Sequence, residues 1–337
     1  MALPPSLLIR TAKTIWTTLW QVMMTQMAPS DQTGDYQRPE STFCELTSQQ
    51  QSCYRIPSDR FSSEPQRYCL IVGMGCPWAH RTLIVRILKG LETAIPTTVV
   101  SPSGNEGCWV FDHPSQADSL GCRTLPQFYK RACPGFKGRA TVPVLWDTQT
   151  QTIVNNESSE IIEILNAAFD AWAIRPGVDL YPTGLHSLID QWNTRIYGAV
   201  NNGVYRCGFA KTQAVYEMAC NELFDTLDAI DHTLSNQRYL CGNQLTLADV
   251  RLFTTLIRFD VAYHGLFKCN RHRIVEYEHI SGYVRDIYQL PGIADTCDID
   301  AIKRDYFGNL FPLNPGGIIP LGPDLKSLSA PHGREDR

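Results

Sequence analysis

No CxxC pair occurs in the 337 residues, although the chain carries twelve cysteines. They stand at 44, 53, 69, 76, 108, 122, 133, 207, 220, 241, 269 and 297, never closer than seven positions. A structural zinc site takes its ligands from short turns that converge on one tetrahedral ion, so this scatter excludes a metal centre. A dithiol redox pair is excluded as well, because the place three residues beyond Cys76 is held by Ala79. A secretory leader is also missing, and the thiols read as reduced, mostly buried or idle, in a cytoplasmic protein. Charge is sparse, at 19% of residues and a net −4, with no basic block to suggest a nucleic-acid partner.

Long apolar runs are absent too. Within residues 1–29, Ile15, Trp16, Leu19, Trp20, Val22, Met23 and Met27 form an apolar stripe at helical spacing. Arg10, Lys13, Gln21 and Gln26 interrupt it, which makes it too polar to span a bilayer. The stripe predicts an amphipathic helix packed on its own protein or on a partner subunit; contact with a membrane surface is the minor alternative. Residues 28–65, rich in Ser, Gln, Pro and Asp, read as an irregular arm, so 1–65 stands apart from the rest of the chain.

What the sequence does have begins at "RYCLIVGMG" (67–75), an apolar run bounded by polar residues and glycine, as a buried strand is. Leu83, Ile84, Ile87, Leu88 and Leu91 then repeat along one face of a helix. Cys76-Pro77 falls at its start, where proline is tolerated. "TTVVSP" (97–102), "TVPVLWD" (141–147) and "QTIVNN" (151–156) read as further strands, and "LPQFYKRAC" (125–133) as a short helical piece. "ESSEIIEILNAAFD" (157–170) reads as a helix with Ile161, Ile162 and Leu165 inward. This order, with a cysteine opening the first helix, predicts a thioredoxin-like α/β domain over 66–172. From about 183 the pattern is helical: Leu223, Leu227, Ile230 and Leu234 share one face, and Thr246 to Asp249 forms a capping box. An all-helical domain over 180–323 and a polar tail over 324–337 complete the plan.

A helix N-terminus favours a thiolate through its free N–H groups, so Cys76 reads as a nucleophile with a lowered pKa. With Ala79 in the resolving position, a mixed disulfide on Cys76 has to be cleared by an external thiol. His80 and Arg81 are turned away from the sulfur by helical geometry and read as packing or capping residues.

"CPWAHRTLIVR", "VPVLWD", "IVNNESSEII", "NNGVYRCGFA", "RYLCGNQLTLADVRLFTTLIRFD" and "PLGP", in this order across about 66–323, together resemble the glutathionyl-hydroquinone reductases, the Xi class of glutathione transferases. The resemblance implies a thioredoxin-like half followed by an all-helical glutathione-transferase half. It implies reduction of glutathionyl-hydroquinones through a Cys76 mixed disulfide, with glutathione as co-substrate, no permanently bound cofactor and a homodimeric assembly. It also implies that Val142, before a cis Pro143, pairs with the cysteinyl part of glutathione. Glu157 and Ser158 would take the γ-glutamyl end, Trp109 would lie over the tripeptide, and Tyr205 and Tyr306 would line the aromatic site. An omega-like thiol transferase or deglutathionylase is the alternative, since it shares the cysteine chemistry.

Overall fold

The computed structural model describes residues 5–44 and 62–335, so Cys53 and much of the predicted arm lie outside the described residues. A helix α1 (Pro5–Met27) precedes a sheet half built from β1 (Tyr68–Val72), α2 (Pro77–Lys89), β2 (Thr97–Ser103), β3 (Cys108–Phe111), α3 (Pro114–Leu120), α4 (Leu125–Ala132), β4 (Val144–Asp147), β5 (Thr152–Asn155) and α5 (Ser158–Ala167). The five strands lie in the order β3-β2-β1-β4-β5. β1 and β2 run parallel through the α2 crossover, and the other pairings are antiparallel. The expected thioredoxin-like sheet is present, with two elements that the sequence pattern does not announce. These are β3, a hairpin partner for β2, and the short α3. "GCWVFD" shows weak strand alternation between glycine and proline, which is why it reads as a loop.

The helical half contains α6 (His186–Ile196), α7 (Gly203–Phe209), α8 (Gln213–Leu234), α9 (Leu247–Arg258), the single turn α10 (His264–Leu266), α11 (Ile280–Tyr288) and α12 (Ile299–Asn309). Leu223, Leu227, Ile230 and Leu234 are fully buried along α8, as their spacing requires. The capping box forms: the Asp249 carboxylate accepts from the Thr246 N–H at 2.8 Å and from its hydroxyl at 2.9 Å. Two π-helical turns, Tyr197–Asn201 and Phe259–Tyr263, join α6 to α7 and α9 to α10. α2 packs between α5 of its own half and α9 of the other, which brings the two halves together at the start of α2. Among the described residues no helix is long and apolar enough to cross a membrane.

α1 packs on its own protein only in part. Only its C-terminal two turns dock: Met24 and Ala28 are buried, and the Trp20 indole N–H donates to the Pro312 carbonyl at 3.1 Å. Leu8, Ile15, Trp16, Leu19 and Val22 remain exposed. The reason is azimuth, since at 100° per residue Met24 lies about 140° round the axis from Leu19. The docked face, where Trp20 and Met27 pack against the core beside Met24, is therefore one edge of the apolar stripe, and the rest of the stripe stays outward. Met24→Ala is expected to cost about 2–5 kcal/mol of stability, whereas Leu8→Ala stays within about 0.5 kcal/mol; urea midpoints of the two variants check the contrast.

Candidate active site

The chain turns from β1 into α2 through Gly73-Met74-Gly75-Cys76. Cys76 is the residue before the helix and Pro77 its first residue. The thiol, half-buried, donates to the Val142 carbonyl at 3.7 Å, and the peptide between Val142 and Pro143 is cis. The turn has no room for side chains at two places. A Cβ on Gly73 would lie 2.4 Å from the Trp109 ring, and one on Gly75 would lie 2.0 Å from the Asp305 Oδ2. Trp109, placed on β3 rather than in a loop, thus covers the turn before the cysteine.

The expected lowering of the Cys76 pKa is not what the site produces. Burial pushes the thiol up, and the N–H groups of Ala79 and Trp78 with the Arg258 and Arg38 guanidinium groups only partly oppose it. The helix N-terminus acts in the expected direction, but desolvation outweighs it.

Glu157 caps α5, accepting from the Ser159 N–H at 3.0 Å, and Ser158 is the first helical residue. The Ser41 hydroxyl, from the arm, donates to the other Glu157 oxygen at 2.8 Å. Burial acts to raise the Glu157 pKa, but the hydrogen bonds from Ser159 and Ser41 leave it lowered, so the carboxylate is charged. The buried Arg81 donates to the Ser158 hydroxyl at 3.4 Å and to the Asn201 side-chain oxygen at 2.7 Å, bridging the two halves. The arm also lays Arg38 over the Trp78 ring at 3.8 Å. Its polar composition gave no sign that it borders the site.

On the helical side, the Tyr205 and Tyr306 hydroxyls meet at 2.6 Å. A third phenol that no sequence pattern marks, Tyr263, reaches Tyr306 at 2.9 Å. One π-helical turn shortly precedes Tyr205 and the other contains Tyr263, and a π turn shifts the phase of the residues beyond it. No periodicity in the sequence discloses that shift. Burial pushes Tyr205 and Tyr306 well above the ordinary tyrosine value, and Tyr263 above it as well; Tyr205 and Tyr263 also feel the charge of a Cys76 thiolate. All three stay protonated at neutral pH, which makes them hydrogen-bond donors.

His80 is buried and kept neutral, by burial first and then by Arg258. Its Nδ1 accepts from Arg258 at 2.8 Å, so Nε2 carries the proton toward the Thr296 hydroxyl at 2.8 Å. This agrees with a packing role. Among the described residues every cysteine is free, and no group of three or more His, Cys, Asp or Glu is placed to hold a metal ion.

A curled mixed sheet, a cysteine opening its first helix opposite the Val142 carbonyl that precedes a cis-proline, and a helical second half define the class of glutathione transferases. Residues 75–168 match the family described as Glutathione S-transferase, N-terminal domain, and residues 213–286 match its C-terminal domain. The chain is 46% identical over 308 residues to the glutathionyl-hydroquinone reductase YqjG of Escherichia coli, covering 90% of this chain and 93% of that protein. It is 47% identical over 266 residues to the glutathionyl-hydroquinone reductase PcpF of Sphingobium chlorophenolicum, covering 78% and 85%. The crystal structure of the Xi glutathione transferase from Phanerochaete chrysosporium superposes with a TM-score of 0.80 at 40% identity, over 88% of this chain and 95% of that one. The glutathione-bound structure of YqjG gives 0.78 at 49% identity, over 82% and 90%. The chain belongs to the glutathionyl-hydroquinone reductases, the Xi class of glutathione transferases.

The crowded turn makes a direct prediction. Gly75→Ala forces a methyl into the Asp305 carboxylate and is expected to destabilise by about 1–3 kcal/mol. Gly104→Ala, with nothing within 4 Å of the added carbon, should leave the urea midpoint nearly unchanged.

Proposed function

We propose that the protein reduces glutathionyl-hydroquinones to hydroquinones with release of oxidised glutathione. The carrying observation is the pairing of one thiol, without a resolving partner, with a cluster of three protonated phenols on its helical side. The Cys76 thiolate attacks the glutathionyl sulfur, so a Cys76–glutathione disulfide forms as the sulfur–ring-carbon bond breaks. The leaving ring carbon takes a proton, with Tyr306 and Tyr205 holding the hydroquinone oxygens and assisting that transfer. A second glutathione attacks the mixed disulfide, releasing oxidised glutathione and restoring the thiol. Two electrons pass to the ring carbon from two glutathione sulfurs, the thioether sulfur of the adduct and the thiol of the second glutathione, and Ala79 explains why that thiol comes from solution.

Glutathione fits the sheet side of the site. The Val142 backbone faces its cysteinyl part, the Glu157 carboxylate suits its α-ammonium, the α5 N-terminus with Ser158 suits its carboxylate, and Trp109 stands over it. The nearness of YqjG, whose solved structure is glutathione-bound, supports this reading. A relative from Schizosaccharomyces pombe, 42% identical over 309 residues, is named glutathione S-transferase omega-like 2, and its name favours the second reading, a general thiol transferase. Cytoplasmic residence suits the unpaired thiols. A two-fold homodimer, the commonest closed arrangement, is the assembly we infer, and light scattering at micromolar concentration should give twice the chain mass of 38.0 kDa.

Cys76→Ser is expected to abolish turnover, measured as oxidised glutathione formed from a glutathionyl-menadiol adduct; substantial residual rate would remove Cys76 as the nucleophile. Tyr306→Phe separates the two readings. Loss of a productive acid contact costs roughly 10²–10⁴-fold in kcat/KM, and that loss is expected with the hydroquinone adduct but not with hydroxyethyl disulfide, whose leaving thiolate needs no such help. Equal losses on both substrates would assign the phenol to structure instead.

A further inference from the structure

Arg258 ends α9 with a fully buried guanidinium, and the acceptors it reaches are neutral: Gly75 O at 3.0 Å, Met74 O at 3.2 Å, Thr254 O at 2.9 Å and His80 Nδ1 at 2.8 Å. Among the described residues no carboxylate forms a salt bridge with it. A buried cation whose hydrogen bonds all go to neutral acceptors is costly, and a group that becomes negative nearby offsets that cost. Two of the carbonyls it holds belong to the turn that ends in Cys76. Asp305, from α12, approaches the same turn so closely that its carboxylate fills the space beside the Gly75 Cα, while Arg258 holds the Gly75 carbonyl. The close contact of Asp305 with Gly75 fixes this geometry.

We propose that Arg258 is the counter-charge of the Cys76 thiolate, and that Asp305 competes with Cys76 for that charge. Both are positioning residues for the nucleophile. The proposal rests on the reading of Cys76 as the nucleophile. Cys76 is faced by Arg258 of α9, Arg38 of the arm, Tyr205 of α7 and Tyr263 of the second π-helical turn. Asp305 is faced by Arg304 on its own helix, Arg258 of α9 and Asp112 beyond β3. Burial pushes the Asp305 carboxyl up to about 7, against the pull of Arg304 and Arg258. Below that pH Asp305 is neutral and Arg258 serves Cys76 alone. Above it the carboxylate shares the guanidinium's field, and the thiolate becomes harder to form.

The test is alkylation of Cys76 by iodoacetamide between pH 6 and 9, followed on the Cys76 peptide by mass spectrometry. Arg258→Met is expected to slow alkylation at pH 7 by about tenfold for each unit its titration rises, and Arg258→Lys to restore part of the rate. Asp305→Asn keeps the size and shape of the side chain beside Gly75 but cannot ionise. It should speed alkylation at pH 8 by about threefold, the worth of half a unit, and should remove an inflection near pH 7. Opposite shifts from the two positions support the shared charge. An Asp305→Asn profile that overlays the wild type, or that moves in the same direction as Arg258→Met, overturns it. Where Arg258→Met fails to fold by circular dichroism, the Asp305→Asn profile decides alone. The assay contains no glutathione adduct, so a wrong hydroquinone substrate would leave this outcome unaffected.

Discussion

Arg258 reaches from the helical half into the turn before Cys76 and holds two consecutive carbonyls of that turn, with the neutral His80 ring fixed on its other edge. Arg81 crosses the same boundary in the opposite direction, from α2 to Asn201, whose amide in turn donates to Thr255 on α9 at 2.7 Å. The two buried arginines set α2 against α9. The position of the sulfur relative to the phenols is fixed by that docking, because Cys76 stands on one half and Tyr205, Tyr263 and Tyr306 on the other. Hydrogen bonds to a charged donor in such a dry interface are stronger than their surface counterparts, and leaving any of these acceptors unmade would carry its full desolvation cost.

Burial acts on the two sides of the site in different ways. It works against the Cys76 thiolate, so the N–H groups of the helix start and the Arg258 charge are needed to recover part of the loss. On the phenols the same desolvation is useful, since it keeps three hydroxyls protonated beside a sulfur that becomes negative. A donor cluster beside a thiol is an arrangement suited to a leaving group that is a poor anion and needs a proton. The irregular arm contributes by closing the site: Ser41 on Glu157 and Arg38 over Trp78 tie the chain before the sheet half to the region where α2 and α5 begin.

Much of this was legible in the chain itself. The spacing of Leu83 and Ile84 on α2, the run before Gly73, the Thr246–Asp249 box and the Cys76-Pro77 boundary each depend on neighbours within a few residues, and each has its physical cause in local geometry, whereas Leu91, expected on the same helix face, lies beyond the end of α2 at Lys89. So does the inference from Ala79 that the resolving thiol is external. The docking of α1 was only half legible: its apolar stripe is real, yet only the edge of it that carries Trp20 and Met27 packs, because what covers a helix is set by the surface it meets.

The cysteine at a helix start, the missing resolving thiol, the order of most strands and helices and the division into two halves were therefore determined by the sequence alone, through periodicity and the chemistry of single positions. The third phenol, the two π-helical turns that aim Tyr205 and Tyr263, the site-facing role of the arm and the meeting of Arg258, Asp305 and Cys76 around Gly75 were decided by tertiary structure. These contacts join residues dozens to hundreds of positions apart, and the balance between desolvation and charge that sets the Cys76 thiol exists only once those residues exclude water together.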